Sequence, residues 1–176
     1  SEDEAKKVLE EIEKNGGSGM TIRADVSDLD QVKAMMREVG KTYGQIDVLV
    51  NNAGIVRDEY LLMLNPDTLD RCFDLNVKGY FYCAQQAVLK MFRKKSGAII
   101  NMSSVSGILA LAGQSVYSAT KGAVNSMTQT MAKELAPYGI RVNTISPGYI
   151  WSGIHEGVMD KTGHDMCLEV VPIKRF

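Results

Sequence analysis

The sequence predicts an α/β domain in which helices flank a parallel sheet. Segments with helical periodicity alternate with short apolar runs, which is the pattern of repeated β-α-β units. Three of the apolar runs lead directly into polar residues, at Asn51, Ser103 and Ser146. The chain has 176 residues, of which 45% are apolar, so it can form a sizeable core. We therefore expect one domain over residues 1–176.

Four elements are predicted in the first part of the chain. Ser1 and Glu4 can form a capping box at the start of the first helix, and Ser27 is a suitable N-cap for the second. In both helices apolar residues recur at the spacing of one helix face. The predicted elements are a helix from Ser1 to Gly16, a strand from Met20 to Ala24, a helix from Ser27 to Gly44 and a strand from Ile46 to Val50.

The second part of the chain contains two long predicted helices. Asn65 and Pro66 start the first of them, because Asn is a good N-cap and Pro fits the first helical position. The second helix carries Tyr117 and ends near Leu135, before Pro137. Each helix is followed by an extended segment, and the predicted strands run from Gly97 to Met102 and from Arg141 to Ile145.

Tyr117 and Lys121 lie four residues apart, so a helix places the phenol and the ammonium on one face. A free phenol titrates near pH ~10, and a nearby positive charge lowers that pKa. The tyrosine can then donate and accept protons near neutral pH. Ser104, which follows a strand, can donate a hydrogen bond to an oxygen whose charge changes. Together these groups can reduce a carbonyl or oxidise an alcohol, although the pair alone also fits two helix-surface residues.

The run Asn51-Asn-Ala-Gly54 directly follows a predicted buried strand. In open parallel sheets, ligands bind beyond the carboxyl ends of the strands. Small and flexible residues let a ligand approach the backbone closely. The run is therefore predicted to line a ligand groove, and a simple turn is the alternative.

With these residues, further motifs make the chain resemble the short-chain dehydrogenase/reductase family. The motifs, in chain order, are Asp25-Val26, Asn51-Asn-Ala-Gly54, Asn76-Val-Lys-Gly79, Ser104, Tyr117 with Lys121, and Pro147-Gly148. The resemblance implies a Rossmann-type, doubly wound parallel sheet in three α/β/α layers. It also implies NAD or NADP as the cofactor and hydride transfer to or from a carbonyl carbon. Within the family the chain is most similar to 3-oxoacyl-acyl-carrier-protein reductases, and next to sugar or polyol dehydrogenases.

The resemblance assigns a catalytic role to four residues. Tyr117 would be the general acid in reduction and the base in oxidation. Lys121 would lower the pKa of Tyr117 and hold the nicotinamide ribose. Ser104 would orient the substrate oxygen, and Asn76 would help to hold a water beside Lys121.

The resemblance also implies a cofactor site without a metal. Tyr117 and Lys121 would contact the nicotinamide end of the cofactor. The other implied contacts are Asp25 and Val26 with the adenine, Asn52, Ala53 and Gly54 along the groove, and Pro147, Gly148 and Ile150 beside the nicotinamide.

The chain departs from the family pattern at both ends. The glycine-rich turn that carries the pyrophosphate is absent, as are the first β-α-β unit and the last strand. In the family sheet order 3-2-1-4-5-6-7, the chain supplies strands 3, 4, 5 and 6, so we expect a gap that exposes apolar faces. We interpret the sequence as part of a longer natural chain. Trp151-Ser152 stands where relatives often carry an acidic residue and Thr, which affects the substrate loop.

Composition excludes several other classes of protein. The net charge of −1 and the lack of a basic block argue against nucleic acid binding. No apolar stretch approaches the ~18 residues of a membrane span. Three scattered cysteines favour a reducing compartment, so we expect a cytoplasmic protein in which they are small apolar residues.

Several functional alternatives remain open at this point. A small-molecule or acyl-thioester substrate and a homo-oligomer, either dimer or tetramer, are expected from the resemblance. The rival class is a cofactor-binding scaffold without turnover. Arg93 to Lys95 could contact an acidic carrier or form a solvated helix end. In the last segment His155 and His164 lack metal-ligand spacing, and three apolar residues could pad a substrate pocket or pack a lid, namely Trp151, Met159 and Met166.

Overall fold

In the computed structural model, three parallel strands form one sheet. The structure describes residues 2–150, 165, 168–169, 171–173 and 175. Within this part of the chain the strands are β1 (Val48–Asn51), β2 (Gly97–Met102) and β3 (Ile140–Ile145), in the order β1-β2-β3. This order agrees with the expected adjacency of family strands 4, 5 and 6.

Five α-helices accompany the sheet within residues 2–150. They are α1 (Glu2–Lys14), α2 (Leu29–Tyr43), α3 (Pro66–Phe73), α4 (Gly79–Lys94) and α5 (Ser115–Leu135). Short 3-10 turns cover Leu61–Met63, Val105–Gly107 and Ala136–Tyr138. None of the helices in these ranges has the length and apolar character that a bilayer crossing requires.

The main core lies where α2, α4 and α5 pack against the sheet. Its buried members come from α2, α4, β2, β3 and the segment before β1, and α5 adds partly buried residues to it. The buried residues are Val32, Met36, Ile46, Cys83, Ala84, Ala87, Met91, Ile99, Ile140 and Val142. Cys72 and Cys83 are buried free thiols, as expected of small core residues, and burial raises the pKa of Cys83 to about 11.

Helix starts follow the predicted chemistry at one site and shift by one residue at another. Asn65 caps α3 as predicted, since its side chain accepts from the N–H of Asp67 at 3.0 Å. The predicted cap Ser27 is wrong. Asp28 caps α2 instead, because its carboxylate accepts from two N–H groups of the first turn. The Ser27 hydroxyl donates to Asp25 at 2.6 Å.

The long helix predicted from Pro66 is interrupted after Phe73. A π-helical turn over Asp74–Lys78 separates α3 from α4. Single π turns inserted in α-helices occur frequently at functional sites. Asn76 lies in the middle of this turn, so the interruption coincides with a predicted site residue.

The predicted strand from Met20 to Ala24 is not a strand in the structure. The segment forms no regular element and pairs with no strand among the described residues, and a strand needs a ladder partner. It borders a cleft of about 1000 Å³ against the apolar side of α1. On the free edge of the sheet, Val48 and Val50 are 54% and 53% exposed. These exposed apolar surfaces are those expected from a gap in the sheet.

Gly139 provides a test of the packing between the loop before β3 and the end of α4. It has a φ of 69°, and a Cβ there would overlap the carbonyl oxygen of Lys95. Gly44 has a φ of 75° but open space around it. We expect Gly44→Ala to lower the free energy of unfolding by about 1 kcal/mol through φ alone. Gly139→Ala should cost about 2 kcal/mol more because of the overlap.

Urea unfolding of both variants measures this difference. Equal losses in the two variants would show that the contact with Lys95 has no energetic consequence.

Candidate active site

Buried amides join the carboxyl ends of β1 and β2 to the helices behind them. Asn51 and Asn101 are register partners, and Nδ2 of Asn51 donates to Oδ1 of Asn101 at 2.9 Å. Nδ2 of Asn101 in turn donates to the hydroxyl of Thr128 on α5 at 2.9 Å. Because a buried polar group without a partner is costly, this ladder fixes the sheet edge relative to α5.

Asn76 fastens the loop after β1 to the helical layer. Its amide is fully buried and exchanges two hydrogen bonds with the backbone of Ile55, at 2.8 Å and 2.9 Å. Its second amide hydrogen goes to the hydroxyl of Thr120 at 3.2 Å. Both amide hydrogens are therefore used within the protein, and the side chain positions the loop that holds Gly54.

Lys121 carries a buried ammonium at the centre of the site. Its side chain is only 5% exposed, and Nζ donates to the carbonyl oxygen of Met102 at 2.7 Å. Nζ also lies 5.6 Å from the ring centres of both Tyr80 and Tyr117. Burial lowers the pKa of Lys121 to about 8, because the apolar surroundings disfavour the charged form.

Ser104, just after the end of β2, is a hydrogen-bonding neighbour of Tyr117. The pKa of Tyr117 lies above its ordinary value, and burial of the phenol is the main cause. Hydrogen bonding with the Ser104 side chain lowers this pKa, and the negative charge of Asp58 raises it. The structure therefore brings together the two hydroxyls that were predicted to share one substrate oxygen.

The pKa of Tyr117 is set by burial rather than by the expected influence of Lys121. We predicted that the lysine lowers the pKa of the phenol, whereas the net direction is upward. The physical reason is that burial outweighs the other contributions, while Nζ of Lys121 is directed at the carbonyl of Met102.

The predicted groove residues lie on the exposed side of the loop after β1. Asn52, Ala53 and Gly54 are all exposed. A Cβ at Gly54 would come within 3.1 Å of Oδ1 of Asn76 and 3.8 Å of Nζ of Lys121. The lack of a side chain at Gly54 thus leaves room directly in front of the buried side chains of Asn76 and Lys121.

Asp25 and Val26 lie next to this groove. They border a cleft of about 460 Å³ together with Ala53. The Asp25 carboxylate accepts from the N–H and the hydroxyl of Ser27, and these bonds lower its pKa. Val26 packs against the start of α4, where a Cβ at Gly79 would approach its side chain to 2.8 Å. The predicted adenine contacts are therefore close to the predicted groove.

The loop after β3 pairs with the loop that carries Ser104. The N–H of Val105 donates to the carbonyl oxygen of Pro147 at 3.0 Å. A Cβ at Gly148 would reach the Val105 side chain at 3.9 Å. Ile150 is 60% exposed at the end of the continuously described chain. Pro147 and Gly148 are thus brought beside the loop that carries Ser104, and Ile150 lies near them in sequence.

Some sequence-based predictions concern the segment after Ile150. Its two histidines and its apolar residues, His155, His164, Trp151, Met159 and Met166, lie outside the described residues. Among the residues that are described, no group of His, Cys, Asp or Glu could hold a metal ion.

Sequence reasoning missed three residues that support the site. Thr120 bridges Asn76 and the carbonyl of Tyr117, and its position next to Lys121 in the Tyr-Lys run could have indicated it. Tyr80 donates to the carbonyl of Met102 at 3.2 Å, although its spacing indicated only a core residue. Met102 acts through its backbone, which a sequence pattern does not reveal.

The arrangement fits a dinucleotide whose reactive ring lies beside Tyr117 and Lys121. The open space in front of Gly54 would admit a flat group, and the buried ammonium can donate to hydroxyls. The cleft at Asp25 and Val26 would hold the adenine end. Fold and site together define an oxidoreductase of the Rossmann type.

Comparison with known proteins places the chain in a family. The model of the short chain dehydrogenase family matches residues 1–162. The 3-oxoacyl-[acyl-carrier-protein] reductase FabG of Staphylococcus aureus is 44% identical over 176 residues, which is 100% of this chain and 71% of that protein. The chain belongs to the short-chain dehydrogenase family, and it is an oxidoreductase that uses NAD or NADP.

Solved structures agree with this assignment. A gluconate 5-dehydrogenase from Burkholderia cenocepacia in complex with NADP and tartrate is similar with a TM-score of 0.88 and 34% identity, covering 96% of this chain and 67% of that one. An NAD+-bound xylitol dehydrogenase has a TM-score of 0.93 and 28% identity, covering 100% of this chain and 74% of that one.

The buried Lys121 predicts a specific dependence of stability on pH. Its pKa is about 8 in the folded protein, against 10.5 for a free lysine. Between these values the unfolded chain binds more protons, so the free energy of unfolding should rise with pH in that window. Lys121→Met should remove this contribution.

The measurement is chemical unfolding at several pH values from 7 to 11, as the difference between wild type and variant. Lys33→Met, at a more exposed lysine, serves as the control. If Lys121→Met and wild type show the same slope with pH, the ammonium is not buried as described.

Proposed function

We propose that the protein reduces the keto group of 3-oxoacyl thioesters, with Tyr117 as the proton donor. The observation that carries the proposal is the shared position of the Tyr117 and Ser104 hydroxyls next to the buried ammonium of Lys121. A cofactor-binding scaffold has no need of an acid, an oxygen-binding hydroxyl and a buried cation at one point.

The proposed roles follow from donor and acceptor chemistry. Tyr117 gives its proton to the carbonyl oxygen as negative charge develops there, and Ser104 donates a hydrogen bond to the same oxygen. A bound nicotinamide supplies the hydride in this direction. In oxidation Tyr117 acts as the base and takes the proton of the alcohol.

Lys121 and Asn76 are proposed to support this proton transfer without contacting the substrate oxygen. With a pKa of about 8, Lys121 is mostly protonated at neutral pH, and its remaining hydrogens can hold ribose hydroxyls. Asn76 keeps Gly54 and Ile55 in place, and we propose that it also contributes to holding a water beside Lys121. The predicted cofactor contacts are Asp25, Val26, Asn52, Ala53, Gly54, Pro147, Gly148 and Ile150.

The choice of a thioester substrate is supported by the named relatives. Proteins called 3-oxoacyl-[acyl-carrier-protein] reductase are 44% identical in Staphylococcus aureus and 38% identical in Synechocystis. A sugar or polyol substrate is the second candidate, favoured by the similarity to a gluconate 5-dehydrogenase and a xylitol dehydrogenase.

A single assay separates the two candidates. The absorbance of the nicotinamide is followed with a panel of β-ketoacyl thioesters and of polyols, each with NAD(H) and NADP(H). Preferred turnover of the thioesters supports the proposal, whereas preferred turnover of polyols supports the second candidate.

Tyr117→Phe tests the role of the phenol. We expect turnover to fall by about 10²- to 10⁴-fold, which is the usual contribution of a general acid. Cofactor affinity, measured by calorimetry, should remain close to that of the wild type because the ring is retained. Tyr43→Phe, at an exposed tyrosine, is the matched control. Unchanged turnover in Tyr117→Phe would exclude it as the acid.

We also propose a cytoplasmic homo-oligomer, either a dimer or a tetramer. The outer face of α4 carries Phe81, Leu89 and Phe92, which are 45%, 60% and 49% exposed and recur at helical spacing. Burying these side chains against a second copy would remove an apolar surface from water.

Mass in solution, measured by light scattering, tests this proposal. We expect at least a dimer for wild type and a shift toward monomer for Leu89→Glu, which would place a charge in the interface. Lys33→Glu on α2 is the control. A monomeric wild type would contradict the proposal.

A further inference from the structure

A chain of side-chain hydrogen bonds connects Ser104 with the exposed carboxylate of Asp58. The hydroxyls of Ser104 and Ser106 are 3.2 Å apart, and the Ser106 hydroxyl is 2.9 Å from Oε1 of Gln114. Nε2 of Gln114 then donates to Oδ2 of Asp58 at 3.3 Å. Ser106 is 5% exposed and Gln114 is half-buried, so water has little access to the middle of the chain. The protein groups themselves therefore decide its hydrogen-bond directions.

The carboxylate sets the direction of each bond in turn. A carboxylate only accepts, so Gln114 directs its amide nitrogen to Asp58 and its oxygen to Ser106. Ser106 has one hydroxyl hydrogen and gives it to the Gln114 oxygen. The oxygen of Ser106 is then left as an acceptor that faces the hydroxyl of Ser104.

We propose that Gln114, oriented by Asp58, is a positioning residue that sets through Ser106 the direction in which Ser104 donates its single hydrogen. Two contacts join these serines: the backbone N–H of Ser106 donates to Oγ of Ser104 at 3.1 Å, and the Ser104 hydroxyl donates to the Ser106 oxygen at 3.2 Å. This role rests on the proposed function only for its effect on turnover, since the hydrogen-bond directions exist without substrate.

The direction of the Ser104 hydrogen affects the pKa of Tyr117. The Ser104 hydrogen has two possible acceptors, the oxygen of Ser106 and the oxygen of Tyr117. Donation to the phenolate lowers the pKa of Tyr117, so drawing the hydrogen toward Ser106 favours the protonated phenol.

The negative charge of Asp58 favours the protonated phenol as well. Within the described part of the chain, the other titratable groups near the phenol are Lys121 on the same helix and Tyr80 on α4. Asp58 thus acts in one direction by two routes, through its charge and through Gln114.

Gln114→Leu tests the inference without changing any charge. The variant removes the acceptor for Ser106, whose hydrogen can then turn to Ser104 and release the Ser104 hydrogen toward Tyr117. Ser106→Ala removes the competing acceptor directly and keeps the backbone N–H. Gln129→Leu, at an exposed position of the same helix, is the matched control.

The first readout is the ultraviolet titration of the Tyr117 phenolate. It is taken in each background as the difference between the protein and the same protein carrying Tyr117→Phe. We expect the titration to move to lower pH in Gln114→Leu and in Ser106→Ala, and to stay in place in Gln129→Leu. An unchanged titration in both test variants would overturn the inference, and a loss of the fold in one leaves the other to decide.

The second readout is the pH profile of alcohol oxidation, which needs the phenolate. In Gln114→Leu and Ser106→Ala the acidic side of this profile should move to lower pH. At a pH on that side, turnover should rise by about 2- to 10-fold, which corresponds to the free energy of one hydrogen bond. A shifted titration with no turnover of any substrate, wild type included, would support the inference and count against the proposed function. An acidic side that stays in place while wild type is active would count against the inference.

Discussion

The buried ammonium of Lys121 is the constraint on which the site depends. The ammonium of a lysine that is only 5% exposed requires fixed partners, because burial in apolar surroundings otherwise neutralises it. The carbonyl of Met102 at the end of β2 provides one partner, and the rings of Tyr80 and Tyr117 provide polarisable faces. Burial lowers the pKa of Lys121 to about 8, which leaves the lysine protonated at neutral pH but close to its titration. The geometry of the strand end and of two helices is therefore tied to one cation.

Holding that cation requires the three elements around it to be aligned by polar contacts as well as by apolar packing. The pair Asn51 and Asn101 exists because the parallel register places these residues opposite each other, and Thr128 connects them to α5. On the other side Asn76 connects the loop after β1 to α5 through Thr120. The π turn that contains Asn76 adds one residue to a helical turn. The residues after the turn therefore face a different direction from the one they would have in an uninterrupted α-helix. The regular α-helix is thus interrupted at Asn76, the residue whose side chain binds the backbone of the loop after β1.

Much of this arrangement could be predicted from the sequence, because strand ends and helix spacing are local properties. The bounds of β2, the cap at Asn65 and the common edge that gathers Asn51, Ser104 and Tyr117 follow from patterns of a few residues. The strand expected at Met20 to Ala24 failed because strand formation depends on a neighbour and not on composition alone. The π turn was missed because its hydrogen bonds differ by one residue from those of an α-helix, which leaves the apolar periodicity nearly unchanged. The raised pKa of Tyr117 was missed for a similar reason, since burial is a property of the assembled fold.

Spacing can identify the phenol, the hydroxyl and the cation, but it does not say in which direction the hydrogens between them point. That direction depends on which groups can only accept, and here such a group is the carboxylate of Asp58, far from Tyr117 in sequence. The loop with Asp58 is bound to the segment before α5 by a backbone bond from Glu59 to the carbonyl of Gly113 at 2.8 Å. This bond places the carboxylate where it can orient Gln114 at the start of the helix that carries Tyr117. The exposed carboxylate of Asp58 and the buried hydroxyl of Ser106 are thereby joined in one series of hydrogen bonds that reaches Ser104, the neighbour of Tyr117. Under the proposal made above, the acid–base behaviour of the phenol then depends on the contact between the two loops as well as on the residues next to it.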